Sequence, residues 1–401
     1  MAEPDASPTR ARRNVLILAV CLALNMTAVS IMVVVSALVG QMLAENKALA
    51  TLPFSLQFIG TMAISIPASM LMQRWGRRFG FTLGAGIGVL AGAIMTVAIY
   101  LGDFWLFALG NALVGSANGV AQFYRFAAAE VSSLSFRPKA ISLVLAGGVV
   151  SAFVGPELAK WSSDLLNPYI FAGCFVVVMV LGVAAIGLLQ FLRIPGLTAA
   201  QRREPGRPLR TIARQPKYIV SVIGGISAFS VMIMVMTATP LAMVACGHAF
   251  EDAAFVIQWH ALGMFAPSFV TGHLIARFGV RTIMLVGVAM FAACIGVNLS
   301  GIDVFHFWLA NVLLGVGWNF LFIGSSTLLT ETYTPAERGK AQALNDFLVF
   351  GVVAVASFAA GALHSLVGWE AVNLGGVLPA IAILVALLWL RRRPDTAATP
   401  A

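Results

Sequence analysis

Arg74-Trp75-Gly76-Arg77-Arg78 returns 203 residues later as Arg277-Phe278-Gly279-Val280-Arg281. Each pentad sets an aromatic residue and a glycine between arginines, and each separates two long apolar runs. Further pairs appear on either side of them. Ile31-Met32-Val33 recurs as Ile233-Met234-Val235, and Phe54-Ser55-Leu56-Gln57 as Phe255-Val256-Ile257-Gln258. Leu109-Gly110-Asn111 recurs as Leu309-Ala310-Asn311, and Leu113-Val114-Gly115 as Leu313-Leu314-Gly315. Glu130 and Arg137 recur as Glu331 and Arg338, and Lys139-Ala140 as Lys340-Ala341. One such match among apolar residues means nothing. A shared offset of 200 to 203 residues, half of the 401, indicates a duplicated unit.

Composition names the solvent of that unit. The chain is 60% hydrophobic and 10% charged, whereas soluble domains carry about a quarter charged residues. So little polar surface cannot cover a water-soluble body of this size. A soluble enzyme is therefore excluded. A nucleic-acid binder is excluded too, although the pI near 9.9 alone would suggest one. Cys21, Cys174, Cys246 and Cys294 stand singly in apolar runs, which is no pattern for a disulfide framework or a metal site. Arg10, Arg12 and Arg13 precede an apolar run from Val15 to Val39 that is too long for a signal-peptide core and lacks a small-residue cleavage site. It reads as a retained first span.

A spanning helix needs about 20 apolar residues. Twelve segments meet that test: 15–39, 49–72, 81–101, 104–129, 140–161, 169–191, 217–245, 253–275, 282–300, 304–329, 341–363 and 369–390. The reading is an all-α membrane protein of twelve transmembrane helices in two pseudo-symmetric six-helix bundles, residues 1–192 and 217–401, joined by a polar linker at 193–216. With the N-terminus, the even-to-odd loops and the C-terminus assigned to the cytoplasm, that side collects 22 of the 25 Lys and Arg. The opposite face keeps Lys47 and Lys160, and Arg125 lies within span four. Positive charge on one side places both termini in the cytoplasm of a bacterial-type inner membrane.

These features resemble the major facilitator superfamily over nearly the whole chain. The Arg74 and Arg277 pentads look like its basic loops between spans two and three and between eight and nine, with Gly272 as the preceding small residue. The Glu130/Arg137 and Glu331/Arg338 pairs look like its signatures after spans four and ten. The resemblance implies a solute held near the midplane and alternating access by rocking of the two halves. The chain also departs from the pattern. Gln73 and Ala276 stand where an Asp usually precedes the loop arginine, and Asn111 and Asn311 stand where many proton-driven exporters carry Arg. Gly147-Gly148 and Gly155-Pro156 only partly match the antiporter motif of span five.

Span four is the most informative helix. Asn111, Gly115, Asn118, Gln122 and Arg125 recur at steps of three and four and share one face. Arg at the centre of a span costs at least about 2.5–3.5 kcal/mol, so this face should turn from lipid into the bundle. Arg125 could hold an anionic group, or could pair with Glu130 or snorkel toward the interface. Span ten answers with Asn311, Gly315, Trp318 and Phe322, with Asn319 beside them. Asn25 in span one and Ser227, Ser230 and Thr237 in span seven are further lining candidates. The substrate-facing set is thus Asn25, Asn111, Asn118, Gln122, Arg125, Asn311, Trp318 and Asn319, and helix packing is the competing reading for each.

Arg74, Gly76, Arg77, Arg78, Glu130 and Arg137, with Arg277, Gly279, Arg281, Glu331 and Arg338, form a candidate cytoplasmic gate. The glycines permit tight turns, and the loop arginines lie within reach of Glu130 and Glu331. Ion pairs present in one state only bias a two-state equilibrium. Asp346, His260 and Glu130 are the candidates for proton coupling. Gly84, Gly88 and Gly92 form a small-residue ladder for close packing in span three. No Walker A, HExxH or GxSxG arrangement appears, so the chain is read as a non-enzyme without cofactor or metal. Its partners are the lipid bilayer, a small solute and protons, and it works as a monomer. The function expected is proton-coupled secondary transport of a small organic solute, anionic or planar. An efflux antiporter for drugs or metabolites is the first rival, and a non-transporting sensor is the second.

Overall fold

With no water in the bilayer core, every backbone N–H and C=O must be satisfied within the chain, and helices do so segment by segment. The computed structural model describes residues 8–46, 49, 52–194 and 206–392, and nearly all of them are helical. Lys47, Arg202, Arg203, Arg393 and much of the 193–216 linker lie outside the described residues. The first half comprises α1 (Pro8–Leu43), α2 (Leu52–Trp75), α3 (Arg77–Leu101), α4 (Phe104–Ala121), α5 (Tyr124–Glu130), α6 (Arg137–Ala146), α7 (Gly148–Ser162) and α8 (Ala172–Leu189). A short α9 (Leu209–Ala213) leads to α10 (Pro216–Ala245), α11 (Phe250–Phe265), α12 (Ser268–Phe278), α13 (Val280–Ser300), α14 (Val304–Thr330), α15 (Arg338–Leu366) and α16 (Trp369–Arg391). Among the described residues eleven helices are long and apolar enough to cross a membrane. There are twelve when Asp252–Phe265 and Ser268–Phe278, bent by 41°, count as one span.

The two glycine turns recur at corresponding places, whereas the breaks inside spans four and eight have no counterpart in spans ten and two. Gly76 is the whole connection between α2 and α3, and Gly279 the whole connection between α12 and α13. Their φ angles are +89° and +83° with ψ of 162° and 149°, a region kept almost wholly to glycine that costs an L-residue about 1–3 kcal/mol. Span four is interrupted between α4 and α5 at Gln122 and Phe123, directly inside its polar stripe. Span eight breaks at Ala266 and Pro267, because proline has no N–H to continue the ladder. A neighbouring helix repairs this break. Asn319 of α14 donates to the Met264 carbonyl at 2.7 Å and to Ser268 Oγ at 2.6 Å, and accepts from Thr271 Oγ1 at 2.7 Å.

The halves meet along α2 with α15 and along α6 with α12. At the end carrying the pentads they are hydrogen-bonded to each other. Ser69 Oγ donates to the Gly339 carbonyl at 2.7 Å. Ser142 Oγ donates to the Ser268 carbonyl and accepts from Gly272 N at 3.1 Å. A Cβ on Gly272 would lie 2.6 Å from Lys139 Cα, so the two backbones touch there.

Candidate functional site

Two isolated charges inside apolar spans find each other. Arg125 Nη2 of α5 donates to Asp346 Oδ1 of α15 at 2.7 Å, with the side chains 3% and 1% exposed. Arg125 Nη1 donates to Gln122 Oε1 at 2.6 Å, and Asn345 Nδ2 donates to Asp346 Oδ1 at 2.9 Å. Gln122 Nε2 reaches Asn118 Oδ1 at 3.4 Å, and that same oxygen accepts from Asn25 Nδ2 at 3.0 Å. A polar ladder therefore runs from α1 through α4 and α5 across the middle of the molecule into α15. A buried pair of this kind is tolerated only when its remaining hydrogen-bonding groups are largely occupied.

The faces of the guanidinium are covered as well. Arg125 Cζ lies 4.3 Å from the Phe126 ring centroid and 4.6 Å from that of Phe322. Phe322 stacks on Trp318 at 4.9 Å with 28° between planes. Phe229 meets Trp318 and Phe322 edge-on at 5.4 and 5.1 Å, Phe350 joins Phe229 at 5.3 Å, and Phe265 meets Trp318 at 5.8 Å. Aromatic rings from both halves thus surround one ion pair that also spans both halves. Among the described residues, three buried polar atoms of this cluster have no hydrogen-bond partner: Arg125 Nε, Asp346 Oδ2 and Trp318 Nε1.

The structure joins Asn25, Asn118, Gln122, Arg125 and Trp318 in one connected site and brings Asp346 to them. It places Asn111, Asn311 and Asn319 elsewhere. Asn111 Oδ1 accepts from Ser36 at 2.8 Å and Gln57 at 3.0 Å, tying spans one, two and four together. Asn311 ties spans seven, eight and ten by other atoms: its Nδ2 donates to Thr239 Oγ1 at 3.2 Å, and its backbone carbonyl meets His260 Nδ1 at 2.9 Å. Both asparagines are fully buried between helices. His260 therefore belongs to this packing junction and not to the Arg125 cluster. Ser227 donates to the carbonyl of Pro379, a proline inside α16, at 2.7 Å.

The pentad end forms a second network, less symmetric than the sequence. Arg77 grips Glu130 with Nη2 at 2.5 Å and Nε at 3.2 Å, and also donates to Gln342 Oε1 at 2.6 Å. Arg338 of the other half donates to Glu130 Oε2 at 2.9 Å. One carboxylate thus takes arginines from both halves, and Glu130 is committed here instead of to Arg125. The repeat partner Glu331 pairs with Lys217 at 2.9 Å on the exposed surface. Arg74 and Arg277 each lie over the adjoining aromatic ring, Trp75 and Phe278, at 5.8 and 5.2 Å. Arg78 is exposed, Arg137 and Arg281 are half-buried, and the Arg137 Nε has no partner among the described residues.

Outside the spans, Arg207 clamps Glu337 with Nε at 2.8 Å, Nη2 at 2.7 Å and its own backbone N–H at 2.7 Å. The Thr334 N–H adds a fourth bond at 3.0 Å. Burial opposes ionisation of Glu337, but these donors outweigh it and hold its carboxyl at about 2. Sequence reading missed this clamp, and with it Phe126, Phe229, Phe265, Phe350, Asn345 and Gln342. The isolated Arg125 and Asp346 were a usable signal, because intramembrane charges pair with one another.

The sequence profile of the Major Facilitator Superfamily matches residues 15–267 and 222–401, the two matches together taking in both halves. The chain belongs to this superfamily. It is 44% identical over 399 residues to the riboflavin transporter RfnT of Brucella anthropi, covering 98% of this chain and 99% of that one. The fold is shared with the human organic anion transporter MFSD10 at TM-score 0.75 and 12% identity, over 96% of this chain and 100% of that one. The transporter FucP in its outward conformation superposes at TM-score 0.73 and 16% identity, over 95% and 99%. This superfamily member is thus a multi-pass membrane protein and a secondary transporter.

Proposed function

We propose that this carrier moves a planar, uncharged heteroaromatic solute of the riboflavin kind across the bacterial cytoplasmic membrane. The observation that carries the reading is the aromatic column of Phe126, Phe322 and Trp318 beside the amide ladder of Asn25, Asn118 and Gln122. Ring faces suit a flat tricyclic system, and amides suit a polyhydroxylated chain. The near full-length similarity to a riboflavin transporter supports it. An anionic solute receives less support, because the Arg125 charge is already met by Asp346. The halves 1–192 and 217–401 rock about the site, joined by the 193–216 linker, with both termini cytoplasmic. Glu130 with Arg77 and Arg338 latches the cytoplasmic end in one state.

Coupling to protons runs through Asp346, the carboxylate that faces Arg125 across the halves. A proton on Asp346 releases the guanidinium and lets the halves part. The test is uptake of labelled riboflavin by proteoliposomes, with and without an inward proton gradient. Uptake that rises with the gradient is expected, with Asp346→Asn losing the response to pH while keeping exchange of internal for external riboflavin. Absence of riboflavin flux together with extrusion of lipophilic cations would replace this reading with drug efflux.

A further inference from the structure

We propose that Gln342 is a positioning residue that carries the opening of the central ion pair to the cytoplasmic latch. This rests on the reading above, in which Asp346 releases Arg125 and Glu130 latches the cytoplasmic end. The duplication points to it. α6 and α15 correspond at Lys139-Ala140 and Lys340-Ala341, and at that same offset Ile141, Val144 and Leu145 give way to Gln342, Asn345 and Asp346. All six side chains are buried. Burying a polar group is costly unless it is hydrogen-bonded, so three polar residues where the repeat keeps three apolar ones need partners.

Those partners lie mostly in the first half. Arg338, Gln342 and Asp346 follow at steps of four and share one face of α15. Along that face Arg338 donates to Glu130 Oε2 at 2.9 Å, Gln342 Oε1 accepts from Arg77 Nη2 at 2.6 Å, and Asp346 Oδ1 accepts from Arg125 Nη2 at 2.7 Å. Asn345 Nδ2 holds Asp346 Oδ1 from the same helix at 2.9 Å. The Arg77–Glu130 pair belongs wholly to the first half, so by itself it feels nothing of α15. Gln342 and Arg338 connect it to the second half. Arg338 has a long side chain that can follow a small displacement of its helix. Gln342 is shorter, and its Nε2 is tied to Tyr333 Oη of its own half at 2.7 Å, so its amide cannot turn to follow Arg77. Asp346 lies about one turn further along the same helix. A shift of α15 on loss of the Asp346–Arg125 pair therefore breaks the Gln342 contact first and takes an acceptor from Arg77.

The experiment is maleimide labelling of Ser69→Cys in the purified full-length carrier with Cys246→Ser, since Ser69 is buried against Gly339 at the latched end. Labelling needs no solute, so it reports on the latch independently of riboflavin flux. Asp346→Asn removes the charge that holds Arg125 and is expected to speed labelling roughly tenfold. Gln342→Ile restores the residue of the first half and leaves both ion pairs in place. In that background Asp346→Asn should change the rate less than about twofold, and Gln342→Glu should restore the response by again offering Arg77 an acceptor. Where Asp346→Asn fails to fold, Asn345→Val takes its place, because it loosens the hold on Asp346 without removing a charge. It is expected to speed labelling roughly threefold, and only where Gln342 is present. Equal acceleration with and without Gln342→Ile overturns the proposal, as does no acceleration in the protein that keeps Gln342. Failure of proton-driven riboflavin uptake beside an intact labelling response overturns the transport reading alone.

Discussion

At the scale of single residues, the decisive chemistry is what buried charges do when their partners are few. Glu130 pairs with Arg77 and Arg338 at once, and its replacement takes the carboxylate from both arginines. Breaking one buried ion pair typically costs about 3–5 kcal/mol. Glu130→Gln is therefore expected to lower the melting temperature of the detergent-solubilised protein markedly, whereas Glu331→Gln, which loses only an exposed pair with Lys217, should shift it little. Equal shifts for the two variants in a thermal melt would contradict the asymmetry. Asn319 poses a smaller version of the same problem. Asn319→Ala removes the side-chain donor from the Met264 carbonyl and from Ser268 Oγ inside the bundle, while Thr271 keeps the Pro267 carbonyl, and should cost about 1–3 kcal/mol, read as a fall in denaturation midpoint.

At the scale of elements, breaks and crossings locate the moving parts. Gly272 lies where α12 meets α6, and an added methyl would strike backbone, which cannot swing aside. Gly272→Ala should push the halves apart at the pentad end and reduce transport severely. Gly279→Ala meets no neighbouring atom and suffers only the backbone strain of its φ of +83°, about 1–3 kcal/mol. Flux assays on the two variants separate a contact between halves from a local turn.

The Arg207 clamp belongs to this scale too, since it fixes the segment before α9 to the loop before α15. Its pH dependence follows from the sign of the shift. The Glu337 carboxyl is held at about 2 when folded, against roughly 4.3 for an ordinary Glu. The clamp thus stabilises fully above the ordinary value, and the contribution is lost as pH falls from there toward 2. Thermal melts of wild type should lose stability over that acid window, and Glu337→Gln should flatten this part of the profile.

At the scale of the molecule, two bodies share one ion pair in the middle and a set of hydrogen bonds at one end. A Cβ on Gly339 would lie 2.7 Å from Gln73 Cγ across the halves, so cysteines at 73 and 339 should crosslink. In a background lacking the exposed Cys246, oxidation is expected to arrest flux and reduction to restore it. Flux that persists after complete crosslinking would show that this end need not open.

How much of this was legible follows from range. The spans were read from apolar length alone, because a helix in lipid satisfies its backbone locally and needs no knowledge of its neighbours. The Gly76 and Gly279 turns were legible for the same reason, as was the duplication, which is written in residue order. Arg125 was recognised as out of place in lipid, but Asp346 lies 221 positions away and nothing local ties the two together. Asn111 and Asn118 occupy one face of one helix, yet the first bridges helices and the second joins the central ladder. The sequence by itself determined the helices, their duplication and the sidedness of the positive charge, since these depend on hydropathy, periodicity and loop composition along the chain. The tertiary structure alone decided that Arg125 faces Asp346 between aromatic rings, that Glu130 serves both halves while Glu331 does not, and that Asn319 mends a broken helix. Those outcomes depend on how packed helices rotate and tilt against one another, which is a property of contacts between distant segments and of no single segment.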